Sequence, residues 1–137
     1  MELTSSDFQE GNEIPKKFGY KHENKQPNVE FSSVPTETKT LAIIMDDPDA
    51  MKAVGKVWVH WLLYSDSLDY VTEGKNDFGE IGYGGPAPPD GQHTYIFKLY
   101  ALDADLDLKE GFSKQELEDA MKGHILAEAK LTGTFAP

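Results

Sequence analysis

Four stretches of the chain have the hydrophobic pattern of β-strands. Leu41–Met45 is a continuous apolar run, which is typical of a strand buried on both faces. Lys56–Tyr64 and Thr94–Leu102 are longer and rich in β-branched and aromatic residues, so we predict two further central strands. Leu131–Phe135, near the end of the chain, predicts a short final strand.

His60 is the polar exception in the Lys56–Tyr64 strand. Side chains alternate between the two faces of a strand, so Val59 and Trp61 are expected on the face opposite His60. Both sets of alternating positions are otherwise apolar. The strand should therefore be covered on both sides, with one imidazole among apolar neighbours.

A helix is predicted near the C-terminus. Ser113 and Glu116 have the spacing of a capping box, and the helix that they open is expected to span about 113–129. Its apolar stripe, at helical spacing, consists of Leu117, Ala120, Met121, His124 and Ile125. His124 is interpreted as a packing residue, and Gly123 as a point of close packing on a neighbour.

The balance of these elements predicts the fold class. Strands dominate, and most connections are too short for the crossovers that parallel strands need. We therefore expect a mainly β protein, an antiparallel β-sandwich with one or two peripheral helices. The 137 residues are enough for one domain with a buried core, spanning 1–137. The polar stretch Ser65–Gly79 is expected to be a surface loop.

Charge narrows the range of partners. The chain carries 24 acidic and 13 basic residues, a net charge of −11, and every basic residue is a lysine. This charge opposes nucleic acid and anionic membranes, so we expect neither as a partner. The absence of cysteine excludes disulfides, and no apolar run is long enough to cross a membrane. The start of the chain lacks a signal-peptide pattern, from which we expect a cytoplasmic protein.

The residues that could form a functional site lie in or at the ends of the predicted strands, next to the Gly- and Pro-rich loop Gly82–His93. The residues of interest are Asp47, Asp49, His60, His93 and Tyr95. Carboxylates beside imidazoles raise the pKa of the imidazoles, so a cationic His next to an Asp can face an anion. The hydroxyl of Tyr95 and the main-chain N–H groups near Gly84 and Gly85 would add donors. The pattern predicts a pocket for a small anion, with His60 and His93 as donors, Asp47 orienting one imidazole, and the loop as one wall.

Other interpretations of the same residues stay open. His60 can be a hydrogen-bonded core residue, and Asp47 and Asp49 can form an Asx turn. Two Asp and two His could hold a divalent ion, but no close ligand pattern supports a metal, and we expect no cofactor. A carboxylate–His hydrolase or isomerase is the enzymatic alternative. Trp58 and Trp61 are interpreted as core residues.

Three motifs stand in order along the chain: Asp47-Pro48-Asp49-Ala50, Trp58-Val59-His60-Trp61, and the run from Gly82 to Tyr95. Together they resemble the signatures of the phosphatidylethanolamine-binding protein family, and most closely its short bacterial and archaeal branch, called Raf kinase inhibitor-like. The similarity extends over nearly the whole chain, with supporting matches at Leu99–Asp103, Met121–Ala127 and Leu131–Phe135.

The resemblance implies a β-sandwich with an anion-accepting pocket. The family's pocket positions correspond here to Asp47, His60, Gly85, Pro86, His93 and Tyr95, with Asp49 close by. Family members accept phosphate, acetate, cacodylate or phosphorylated head groups, and some inhibit kinases or serine proteases. No general enzymatic activity and no metal cofactor are attached to the family.

The chain departs from the family pattern at two positions. Met51 stands where the family usually has a proline with a cis bond, and Thr94 stands where it often has an arginine. We expect a binding protein for a small anion or a phosphorylated ligand. The alternative is an inhibitor of a kinase or serine protease that acts through the loop Ser65–Gly79. A homodimer formed through an apolar sheet edge is compatible with this size.

Overall fold

The chain forms a large and a small antiparallel β-sheet with short helices at the periphery. The computed structural model describes residues 1–67 and 70–137. The strands are β1 (Glu2–Thr4), β2 (Glu30–Ser32), β3 (Thr40–Asp47), β4 (Trp58–Ser67), β5 (Tyr70–Glu73), β6 (His93–Leu102) and β7 (Ile125–Phe135). The helices are α1 (Ala50–Val54) and α2 (Lys114–Met121), and Lys16–Phe18 forms a turn of 3₁₀-helix.

β3 lies at the centre of the large sheet. The strand order is β5-β4-β3-β6-β7, all pairings are antiparallel, and β1 and β2 form the small sheet. One face of the large sheet packs against the N-terminal segment through Leu3, Phe8, Ile14 and Phe18. The other face packs against α2 and the connection before it through Leu106, Phe112, Leu117 and Met121. The prediction of a mainly β, antiparallel protein with peripheral helices is confirmed.

The register between β3 and β4 slips by one residue at His60. Met45 pairs with Trp61 and Asp46 pairs with Val59, so His60 has no partner in β3 and forms a β-bulge. Trp61 consequently packs on the N-terminal side of the sheet, whereas Val59 packs on the α2 side. The prediction that Val59 and Trp61 share a face is wrong, because strict alternation does not survive a bulge.

The predicted C-terminal helix is present but shorter than expected. Both reciprocal hydrogen bonds of the capping box are formed. The helix ends at Met121 instead of near residue 129, because Gly123, with φ of 83°, turns the chain into β7. The interpretations of Gly123 and His124 as packing residues are therefore wrong. Among the described residues other than its chain neighbours, no atom lies within 4 Å of a Cβ built at Gly123. His124 is exposed, with its Nδ1 2.9 Å from Oδ1 of Asp103.

The stretch Ser65–Gly79 is not a loop throughout. β4 continues to Ser67 and β5 covers Tyr70–Glu73, so much of the stretch belongs to an antiparallel strand pair. Leu68 and Asp69, which belong to the same prediction, lie outside the described residues. In the part of the chain that the structure describes, no helix is long and apolar enough to span a membrane, and all peptide bonds are trans.

Candidate functional site

A cavity of about 230 Å³ opens where β3, β4 and β6 meet α1 and the Gly- and Pro-rich loop. Its polar side chains are Asp47, Trp58, His60, His93 and Tyr95. The remaining wall is apolar and comes from α1, from Phe78 and from the loop before β6. Because a water molecule takes up about 30 Å³ in the liquid, the space corresponds to roughly eight waters. The structure thus brings four of the predicted site residues, Asp47, His60, His93 and Tyr95, to one cavity.

His93 is held between two carboxylates. Its Nδ1 lies 2.6 Å from Oδ2 of Asp47, and its Nε2 lies 2.6 Å from Oδ1 of Asp90. A carboxylate oxygen accepts, so both ring nitrogens donate and the ring is an imidazolium. Burial acts to lower the pKa of His93, but the hydrogen bonds with Asp47 and Asp90 outweigh it and raise that pKa. Asp47 therefore orients an imidazole, as the sequence predicts, but the nitrogen expected to face a ligand is bonded to Asp90.

His60 is buried and differs from His93 in charge. Its Nδ1 lies 2.6 Å from the carbonyl oxygen of Gly84, and its main-chain oxygen accepts from the Gly84 N–H at 2.9 Å. Burial lowers the pKa of His60, although the carbonyl groups of Gly84 and Gly85 and the charge of Asp47 act in the opposite direction. His60 is thus a neutral ring, not the cationic donor expected from the sequence.

Two hydrogen-bond donors of the cavity have no protein partner. Among the described residues, neither the Tyr95 hydroxyl nor the Trp58 Nε1–H makes a hydrogen bond, and both atoms are buried. Burial and the nearby charge of Asp47 raise the pKa of Tyr95, so its hydroxyl keeps its proton. Buried donors are nearly always paired, and leaving one unpaired costs about 1–3 kcal/mol. The sequence assigns Trp58 to the core, and no local signal distinguishes it from Trp61.

Asp49 lies beside the cavity and does not line it. Its N–H donates to Oδ1 of Asp47 at 2.9 Å, so the Asx turn considered from the sequence is formed. Its own carboxylate accepts from the N–H of Thr94 at 2.8 Å. Asp49 thus joins the end of β3 to the start of β6 and supports the position of His93.

Gly85 and Pro86 also lie outside the cavity lining. A Cβ at Gly85 would lie 1.9 Å from the carbonyl oxygen of Phe18, and the Gly85 N–H donates to Oδ1 of Asn24 at 2.7 Å. The Pro86 carbonyl accepts from the N–H of Tyr20 at 2.9 Å. The Gly85 N–H, expected from the sequence to be a donor of the pocket, therefore bonds to the N-terminal segment, which holds the loop in place.

The charge around the cavity is mostly negative. Asp46 is buried next to Asp47, but Lys98 and Lys114 pair with it at 3.2 and 3.1 Å. Asp47 and Asp90 share the single positive charge of His93. Within residues 1–67 and 70–137, no group of three or more His, Asp or Glu side chains is placed to hold a metal ion. The site therefore offers a ligand two neutral donors, one neutral imidazole and an apolar wall.

The fold and the site define an antiparallel β-protein with a small pocket at one end of its main sheet. The chain belongs to the phosphatidylethanolamine-binding protein family, whose sequence model matches residues 4–136. The family predicted from the three motifs is thereby confirmed.

Relatives occur in bacteria and archaea. The chain is 42% identical over 147 residues to a UPF0098 protein of Chlamydia muridarum, and 42% identical over 151 residues to one of Methanothermobacter thermautotrophicus, with 98% of each chain covered in both cases. The chain is also similar to a solved structure, the crystal structure of the putative phosphatidylethanolamine-binding protein homolog CT736 of Chlamydia trachomatis. The two sequences are 41% identical, the TM-score is 0.89, and the alignment covers 97% of this chain and 95% of CT736. YbcL of E. coli, described as a member of the mammalian family, has 26% identity and a TM-score of 0.86, covering 98% and 96%.

Proposed function

We propose that the protein binds a small ligand that carries a phosphate or a similar oxyanion in the cavity formed by Asp47, Trp58, His60, His93 and Tyr95. The observation that carries this proposal is the pair of buried donors without a protein partner among the described residues, Tyr95 O–H and Trp58 Nε1–H, whose side chains line the same cavity. A ligand with two acceptor oxygens would satisfy both and remove the cost of leaving them unpaired. Membership of the phosphatidylethanolamine-binding protein family agrees with a ligand of this class.

The apolar part of the wall indicates what else the ligand carries. The cavity volume of about 230 Å³ leaves space for a short substituent beside an oxyanion. α1 and Phe78 would contact that substituent. Two probes are therefore suitable: phosphoethanolamine, which carries a short substituent, and inorganic phosphate, which carries none.

The test is calorimetric titration of both probes into wild type and Tyr95→Phe. This substitution removes one oxygen and leaves the ring. We expect the affinity for both probes to fall about tenfold or more, because a hydrogen bond to a charged group is lost. Tyr100→Phe is the matched control, since Tyr100 lies on the same strand and packs on the opposite, α2 face of the sheet. Absence of binding by the wild type, or equal affinities for wild type and Tyr95→Phe, would contradict the proposal.

A further inference from the structure

The two ring nitrogens of His60 are not equivalent. The carbonyl oxygen of Gly84, 2.6 Å from Nδ1, can only accept a hydrogen bond, so the proton of the neutral ring is on Nδ1. Nε2 then carries a lone pair and no proton. In the described part of the chain no hydrogen bond to Nε2 is formed, and His60 lines the cavity whereas Gly84 does not. The cavity lining therefore includes one ring nitrogen that can accept a hydrogen bond, in addition to its two donors.

The surroundings of His60 keep this ring neutral. The residue is 2% exposed, and the rings of Tyr95 and Phe78 meet its ring edge-on at 5.2 and 5.6 Å between centroids. The nearby carboxylates are already paired, Asp47 with His93 and Asp46 with two lysines. Neither makes a hydrogen bond or an ion pair with the His60 ring, so a proton on Nε2 would be a second buried charge without a partner of its own.

We infer that the cavity selects an oxyanion that still carries a proton, with the ligand O–H donating to Nε2 of His60 and the other oxygens accepting from Tyr95 and Trp58. This inference rests on the proposed function. Its ligand class is inorganic phosphate and the monoanions of phosphomonoesters. Sulfate is disfavoured, because all its oxygens are acceptors at neutral pH.

Sulfate is the informative competitor. It has the tetrahedral shape of phosphate and the same charge as the dianion of inorganic phosphate, so electrostatic repulsion by Asp47 and Asp90 does not separate the two. The difference between them is the proton. A sulfate oxygen would place a lone pair against the lone pair of Nε2, and a site built to accept from a hydroxyl rejects analogues without one by a large factor. We expect the affinity for sulfate to be at least about a hundredfold lower than the affinity for phosphate.

The experiment is calorimetric titration of inorganic phosphate and of sulfate into the wild-type protein, at one ionic strength and at a pH at which phosphate is almost entirely the dianion, so that the two anions have the same charge. Phosphate binding with strong discrimination against sulfate supports the inference. Equal binding of the two anions overturns it and leaves the proposed function intact. If neither anion binds, both the inference and the proposed function are wrong. The two failures are therefore distinguishable.

A variant and a spectroscopic measurement complete the test. His60→Gln places an amide near the position of Nε2, and an amide can turn to donate or to accept. The phosphate-to-sulfate affinity ratio should shrink to within about tenfold in this variant and stay unchanged in His124→Gln, a surface control. Should His60→Gln not fold, long-range ¹H–¹⁵N NMR of the wild type decides. The inference requires an unprotonated Nε2 whose resonance shifts on phosphate addition, and a protonated Nε2 in the complex overturns it.

Discussion

The carboxylate of Asp90 lies 2.6 Å from Nε2 of His93, the one nitrogen of that ring that Asp47 does not hold. The Asp90 side chain is 52% exposed, whereas that of His93 is 5% exposed. Asp90 thus reaches from the surface to a buried cation and occupies the position in which an external anion would be bonded. A ligand that is to use His93 must displace it.

Removing this carboxylate should strengthen anion binding. In Asp90→Ala, Nε2–H of His93 becomes available and one negative charge leaves the site, so we expect phosphate affinity to rise about tenfold. The pKa of His93 should fall at the same time. Calorimetry and imidazole NMR measure the two effects. Asp105→Ala is the control, because it removes the same charge beside Ala104, which accepts from Thr40 at the far end of β3. An equal rise in phosphate affinity in the two variants would show that net charge alone causes the effect.

The two cavity histidines should titrate in opposite directions from the ordinary value of 6.5. The pKa of His93 is raised, so its stabilising effect is fully present below 6.5 and is lost as the pH rises through the folded pKa. The pKa of His60 is lowered, so its effect is present above 6.5 and is lost as the pH falls toward the folded pKa. We expect NMR titration between about pH 5 and pH 9 to show His93 charged and His60 neutral at pH 6.5. The reverse order would contradict the hydrogen-bond assignments.

Asp47 should be important for stability as well as for the site. Asp47→Asn removes the charge that faces a buried imidazolium, and breaking such a pair should cost about 3 kcal/mol of the free energy of unfolding. Urea denaturation measures this. Asp49→Asn, two residues away and exposed, should cost about 1 kcal/mol or less, since its acceptor oxygen toward Thr94 is kept. Comparable losses in the two variants would show that the Asp47–His93 pair contributes little.

Gly85 should tolerate no side chain. In Gly85→Ala the new Cβ would lie 1.9 Å from the Phe18 carbonyl, so the loop or the N-terminal segment must move, and we expect a loss of about 3 kcal/mol or more. Gly55→Ala is the comparison, because Gly55 has φ of 82° and, among the described residues beyond its chain neighbours, no atom lies within 4 Å of the Cβ position. It should cost only the left-handed backbone strain of about 1 kcal/mol. Chemical denaturation measures the free energy of unfolding of both variants. A larger loss in Gly85→Ala than in Gly55→Ala would show that the clash with Phe18 costs more than the backbone strain.

The two tryptophans should respond differently to the same substitution. Trp61 Nε1–H donates to Oε2 of Glu73 at 2.8 Å, whereas Trp58 Nε1–H has no partner among the described residues. Trp61→Phe should therefore destabilise the protein by about 1–3 kcal/mol and leave phosphate affinity unchanged. Trp58→Phe should change stability by less than about 1 kcal/mol and weaken phosphate binding about tenfold. Loss of stability in Trp58→Phe without loss of affinity would make Trp58 a structural residue.

The strands were predictable because their apolar patterns are local. Leu41–Met45 reads as a strand buried on both faces, and β3 is the central strand of the sheet. The helix start was predictable for the same reason, since a capping box involves residues three positions apart. The helix end was not, because Ile125 continues an apolar helical stripe and yet pairs with Leu102 of a strand that lies distant in sequence.

The meeting of Asp47, His60 and His93 at one cavity was predictable, but their hydrogen bonding was not. Asp47, His60 and His93 stand at strand ends or in a strand that the sequence pattern identifies. Their charges depend on partners that sequence spacing does not reveal, such as the Gly84 carbonyl at His60. Asp90 belongs to a sequence typical of a turn, so nothing local indicates that it reaches His93.

His60 and Gly84 exchange two hydrogen bonds, one of them through the imidazole. Because the bulge leaves His60 without a partner in β3, this exchange fastens the loop to the sheet. The tautomer of His60 is therefore fixed by folding, before a ligand arrives. Under the proposed function, binding would therefore not include the free-energy cost of moving this proton or rearranging these hydrogen bonds.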